Sequence, residues 1–157
     1  MMGPRASETF VSMIRKEKFR GNIEISSMMS FDYRMAPLIL ITPEYVPDAK
    51  GRLEYRRQWE FVLYDEGMVV WQHFYDNGKC SWRKIAWLKT RFESKTKYEL
   101  QIKITRTANG QMITLKCNNH EMSFLVHDFP EEYYAGITAN EGINRFYDFK
   151  VKVNLAK

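Results

Sequence analysis

Apolar and polar residues alternate with a period of two along most of this 157-residue chain. That is the pattern of strands with one buried face. In residues 23–31, Ile23, Ile25, Ser27, Met29 and Phe31 share one face, and Glu24, Ser26, Met28 and Ser30 share the other. In residues 98–106, Tyr98, Leu100, Ile102 and Ile104 oppose Glu99, Gln101, Lys103 and Thr105. Between these runs the pattern predicts three consecutive strands, 55–64, 68–75 and 79–87. Asp65-Glu66-Gly67 and Asp76-Asn77-Gly78 separate them, and an acid or amide followed by glycine suits tight hairpins. Residues 38–42, LILIT, form a continuous apolar run instead, which predicts a strand covered on both faces.

Asn109-Gly110 and Asn118-Asn119 mark turns around strands at 111–117 and 121–126, and a connector spans 129–132. The chain then reads YYAGIT and RFYDFKVKV, predicted as two strands of one sheet joined by the short loop ANEGIN. In the second run Phe149, Val151 and Val153 fall on one face and Asp148, Lys150 and Lys152 on the other. Residues 10–14 fit either a short edge strand or a helical turn. Residues 43–52, broken by Pro43, Pro47 and Gly51, form the longest irregular piece, and long loops on rigid scaffolds often edge a site. About ten short strands at regular spacing predict an all-β sandwich or barrel. The length fits a single domain over residues 1–157, with residues 1–9 loose.

Composition adds limits. Aromatic residues make up 15% of the chain, with 4 Trp, 9 Tyr and 10 Phe, which favours strands and binding surfaces. The 24 Lys and Arg against 19 Asp and Glu give a net charge of +5. The basic residues are scattered among acids, so neither a nucleic-acid partner nor a membrane partner is expected. Cys80 and Cys117 are expected as free thiols in a strand-rich core. The N-terminal residues MMGPRASETF lack an apolar segment of the signal-peptide kind. The expectation is a cytoplasmic protein, or a secreted one if a leader has been removed.

Three stretches carry a family resemblance: LYDEGMVVWQHF at 63–74, TKYELQIKITRTANGQMITLKCNN at 96–119, and YYAGITANEGINRFYDFKV at 133–151. Across roughly residues 20 to 155 the strand order and ending resemble the concanavalin A-like lectin and glucanase superfamily. The resemblance implies a jelly-roll sandwich of two curved antiparallel sheets, with sugars on the concave sheet or at its rim. The N-terminal part is short for a full jelly roll, which implies an outer strand absent or supplied differently. A pyranose stacks its apolar face on an aromatic ring and offers its hydroxyls to planar polar groups.

Several residues could supply that chemistry. Trp71, His73 and Tyr75 share one strand face. They read either as core rings around a hydrogen-bonded histidine or as a sugar platform with His73 as donor or acceptor. Trp82 carries the same two readings, whereas Trp59 and Trp87 are in phase with aliphatic residues and are expected in the core. Glu141, Asn144 and Arg145 cluster in the loop before the last strand, either as ligand contacts or as turn chemistry with a surface ion pair. Arg56 and Arg57 read as a solvated strand start.

The glucanase pattern E-x-D-x-x-E is absent. Retaining hydrolysis needs two carboxylates about 5–5.5 Å apart, and Glu60 in QWEFVLYDE has no second carboxylate at i+2 or i+4. A hydrolase or lyase would have to pair residues of different strands, with Glu60 and Glu141 as candidates. His73, His120 and His127 lack zinc spacing, and neither Asp128 nor Asp148 alone makes a calcium site. No metal and no cofactor are expected. The leading expectation is a non-catalytic carbohydrate-binding domain using Glu60, Trp71, His73, Trp82, Glu141, Asn144 and Arg145. A glycan hydrolase or lyase comes next, then a protein–protein interaction or structural module. Self-association into a homo-oligomer is compatible with each.

Overall fold

The computed structural model describes residues 10–32, 36–47, 53–76, 79–140 and 142–154. Its strands are β1 (Phe10–Ile14), β2 (Phe19–Arg20), β3 (Asn22–Phe31), β4 (Pro37–Thr42), β5 (Val46–Pro47), β6 (Leu53–Glu54), β7 (Arg57–Tyr64), β8 (Gly67–Asp76), β9 (Lys79–Lys89), β10 (Tyr98–Thr107), β11 (Gly110–Cys117), β12 (His120–Val126), β13 (Glu132–Asn140), β14 (Asn144–Phe146) and β15 (Lys150–Asn154). They form a seven-stranded sheet in the order β1-β13-β4-β7-β8-β9, with β2 also on β13. A six-stranded sheet runs β12-β11-β10-β3-β14, with β15 also on β3. Every strand pairing is antiparallel. No helix occurs among the described residues.

The predicted alternation puts one face of each sheet into a shared core. Ile23, Ile25, Met29 and Phe31 of β3 join Leu100, Ile102 and Ile104 of β10 from one side. Ile39, Ile41, Trp59, Phe61, Leu63, Met68 and Val70 meet them from the other. Each such side chain contributes roughly 1.5–3 kcal/mol through burial. The run in β4 is buried on both faces, as its continuous apolar character predicts. Ile39 and Ile41 enter the main core, and Leu38 and Leu40 enter a second cluster on the outward side with Val62, Val69 and Tyr55.

The loop between β4 and β7 closes that second cluster. Tyr55 is buried in it, and Tyr45 packs against it, edge-on to Tyr134 at 4.9 Å between ring centres. Thr42 Oγ1 lies 2.7 Å from the carbonyls of both Glu44 and Arg57, tying the two ends of the loop together. Tyr45 and Tyr55 thus cover the outward side of β4.

Four expectations need correction. First, the two closing strands do not share a sheet. Both edges of β13 are taken, by β1 and β2 on one side and β4 on the other. The returning chain therefore pairs with the free edge of β3 in the opposite sheet. Second, the returning run is not one strand. Phe146 pairs with Met29, but Lys150 pairs with Ser26, so four steps on one side match three on the other. The extra residue is accommodated at 147–149, where Met28 N–H donates to Asp148 Oδ1 at 2.7 Å and Ser27 Oγ to the Asp148 carbonyl at 2.6 Å. Third, the outer strand is present, because β1 forms the edge beside β13. Fourth, Cys80 is exposed, since it points to the uncovered side of β9. Cys117 is buried, and burial pushes its thiol up to about 12.

Asp148 gives a pH prediction. The Lys150 ammonium, 2.7 Å away, and then the Met28 N–H hold its carboxyl below the usual aspartate range. A depressed folded-state pKa gives stability that is complete above the unfolded value and is lost as pH falls through the folded one. Urea midpoints should therefore fall less steeply below about pH 4 in Asp148→Asn than in the parent protein.

β1 gives a second prediction. A Cβ on Gly136 would lie 2.1 Å from the Met13 carbonyl oxygen and 2.7 Å from Ile14 Cα. Gly136→Ala should push β1 off the sheet edge at a cost of about 1–3 kcal/mol. Hydrogen exchange should then show β1 amides losing protection while those of β3 and β10 keep theirs.

Candidate functional site

The hairpin β7-β8 and the edge strand β9 build the open face. Cross-strand registers set three neighbouring rows on its outward side. One row holds Gln58, His73 and Trp82, and the next holds Glu60, Trp71 and Lys84. The third holds Val62, Val69 and Trp87.

The polar centre is a short chain of contacts. Gln58 Nε2 donates to Glu60 Oε1 at 2.6 Å, and His73 Nε2 lies 3.2 Å from Glu60 Oε2. Gln58 is buried, and the Glu60 side chain is only 13% exposed. Both oxygens of this sheltered carboxylate are thus engaged, which fixes the imidazole orientation. His73 stands beside Trp82, with ring centres 6.3 Å apart and planes tilted 30°. Trp82 is 62% exposed. A large ring this open, next to fixed donors and acceptors, has the chemistry for stacking one face of a ligand while bonding its rim.

The inward side of the same strands holds this face in position. Gln72 and Arg83, the neighbours of His73 and Trp82, lie on the inward side and pair across the strands, Gln72 buried and Arg83 exposed at the sheet edge. Arg83 Nε donates to Gln72 Oε1 at 2.7 Å and Arg83 Nη2 to Asp128 Oδ2 at 3.2 Å. Asp128 is therefore tied to the sheet through Arg83.

Of the sequence candidates, Glu60, Trp71, His73 and Trp82 come together on this face. Trp71 is half-buried against the second cluster. Asn144 and Arg145 belong to β14 in the other sheet. Arg145 forms a two-pronged ion pair with Asp32, its Nη2 3.1 Å from Oδ2, and this holds the Asp32 carboxyl below its usual range. Asn144 Nδ2 donates to the Asn140 carbonyl at 2.7 Å. Glu141 and the side chain of Tyr75 lie outside the described residues. Among the described residues, no second carboxylate bonds into the Glu60 cluster, and no group of three metal-ligating side chains occurs.

Trp87 and Lys84 are the residues that pattern reading misplaced or missed. Trp87 is 40% exposed on the open face, contrary to its expected place in the core. The cause is a bulge: Val70 faces Ala86, but Trp71 faces Lys84, so Ile85 is an extra residue. An extra residue reverses the alternation beyond it. Leu88 therefore packs on the core and Trp87 turns outward. Lys84 Nζ sits 4.3 Å from the Trp87 ring centre and 5.1 Å from that of Trp71. The aromatic-and-basic composition of WRKIAWLK was the available signal.

Comparison with family models and with curated proteins finds no match. Solved structures do match. A carbohydrate-binding module (CBM66) from Bacillus subtilis aligns with a TM-score of 0.65 at 16% identity, covering 92% of this chain and 82% of the other. A galectin of Caenorhabditis elegans aligns at 0.54 and 13% identity, over 93% and 92% of the two chains. A homodimeric agglutinin from chicken liver aligns at 0.54 and 11% identity, over 92% and 100%. At these identities the likeness concerns the fold, and the chain has the concanavalin A-like jelly-roll fold. The fold is thus one that carbohydrate-binding modules and galectins share.

Proposed function

We propose that this protein is a non-catalytic carbohydrate-binding domain whose ligand lies across the outward face of β7, β8 and β9. The observation that carries the reading is the exposed Trp82 ring beside His73, with His73 held by the sheltered Glu60, which the buried Gln58 braces. A sugar ring stacked on Trp82 places its hydroxyls at the level of the imidazole and the carboxylate. Burying the ring face and bonding the hydroxyls together supply both affinity and orientation. The likeness of the fold to carbohydrate-binding modules and galectins supports the same reading. Glu60 has its oxygens on His73 and Gln58, which suits a fixed acceptor better than a proton-shuttling acid.

A glycan array followed by titration calorimetry tests the proposal. The expected result is saturable binding with no release of reducing ends on long incubation. Release of reducing ends, abolished by Glu60→Gln, would instead make the protein a glycan-cleaving enzyme.

A further inference from the structure

Glu60 has its partners within this face, while Lys84 and Lys89 beside it form no ion pair among the described residues. Along the outward side of β9 the side chains run Trp82, Lys84, Trp87 and Lys89. The ammonium of Lys84 lies 4.3 Å from the Trp87 ring centre and that of Lys89 5.7 Å from it. Attraction between ammonium and indole restrains both cations near one exposed ring. Among the described residues, neither ammonium is ion-paired with a carboxylate. Glu60 shares a cross-strand row with Lys84, but its oxygens are on His73 and Gln58.

Two cations gathered around one indole repel each other, and a bound anion relieves that repulsion. Successive outward positions on a strand lie about 6–7 Å apart, so a ligand stacked on Trp82 extends past Lys84 towards Lys89 within a few residues. Resting on the carbohydrate reading above, we propose that the ligand is an acidic oligosaccharide. One unit stacks on Trp82, and carboxylate or sulfate groups of the following units pair with Lys84 and Lys89, which Trp87 holds in place. Single-stranded nucleic acid also offers rings and anions. The sheltered Glu60 carboxylate next to the stacking ring disfavours phosphates there and favours hydroxyl donors.

The test is titration calorimetry on the whole chain at low and high salt. The probes are an oligouronate, the same oligomer with its carboxyl groups reduced to alcohols, a sulfated oligosaccharide, and an oligothymidylate. An acidic sugar should bind about tenfold tighter than the reduced one at low salt and lose that advantage at high salt. The tighter of the two acidic probes identifies the anionic group. The double variant Lys84→Met/Lys89→Met keeps the aliphatic stems and should lose the acidic preference, so that acidic and reduced oligomers bind it alike at low salt. Equal affinity for acidic and reduced sugars overturns this inference and leaves the carbohydrate reading intact. Binding of no sugar removes that reading too, and binding of oligothymidylate alone overturns both.

Discussion

Trp59→Ala should destabilise the fold by about 3–5 kcal/mol, the usual cost of truncating a buried tryptophan. Domains of this kind have a total stability of about 5–15 kcal/mol, so the loss is a large share of it. Trp59 is 0% exposed and sits near the start of β7, opposite Ile41 on one side and Gln72 on the other. Its ring tilts onto Phe129 at 5.0 Å, and Phe129 meets Tyr133 edge-on at 5.4 Å. The indole is therefore the wedge on which the segment between β12 and β13 docks, and a methyl group in its place leaves a void that three elements must share. Trp59→Phe should cost less than half as much, because the indole Nε1 has no hydrogen-bond partner among the described residues. Denaturant unfolding measures both. A loss under about 1 kcal/mol for Trp59→Ala would show that this part of the interior collapses freely.

The second large effect should fall on binding and leave folding alone. Trp82→Ala should weaken glycan affinity by about thirtyfold or more, the scale of a tryptophan at the centre of a binding site. Because the ring is largely exposed, unfolding midpoints should move within about 0.5 kcal/mol. His73→Ala should weaken binding as well, with some loss of stability, because it deprives the sheltered Glu60 carboxylate of one of its two partners. The pair Trp59 and Trp82 thus separates the two roles of tryptophan in this chain. If Trp82→Ala bound glycans undiminished, the ligand would have to lie elsewhere on the molecule.

Much of this was legible in the residues. Alternation in β3, β7 and β10 assigns the buried face correctly, because the pleat of a strand sends successive side chains to opposite sides wherever it pairs. The unbroken run in β4 announced a strand covered twice. Spacing set Glu60 opposite the apolar face of its strand, but left Trp71 and His73 open between core and surface. That Trp82 joins them needed the register of β9 on β8.

Other features had no local signature. The side of β9 that carries Trp87 depends on where the ladder takes its extra residue, and Ile85 looks like any other strand residue. Asn144 and Arg145 are near β13 in sequence yet belong to the opposite sheet.

By itself, the pattern of residues determined an all-β fold of short strands, a sandwich or a barrel, the inner face of several strands and a surplus of rings and polar groups. Those properties follow from backbone geometry and burial, which act over a few residues. The tertiary structure alone decided which strands share a sheet, that Trp82 and Trp87 stand exposed on the same outward face, and how Lys84 comes to lie against Trp87. These depend on which strand edges are still free to accept hydrogen bonds, and that is set only by partners far away along the chain.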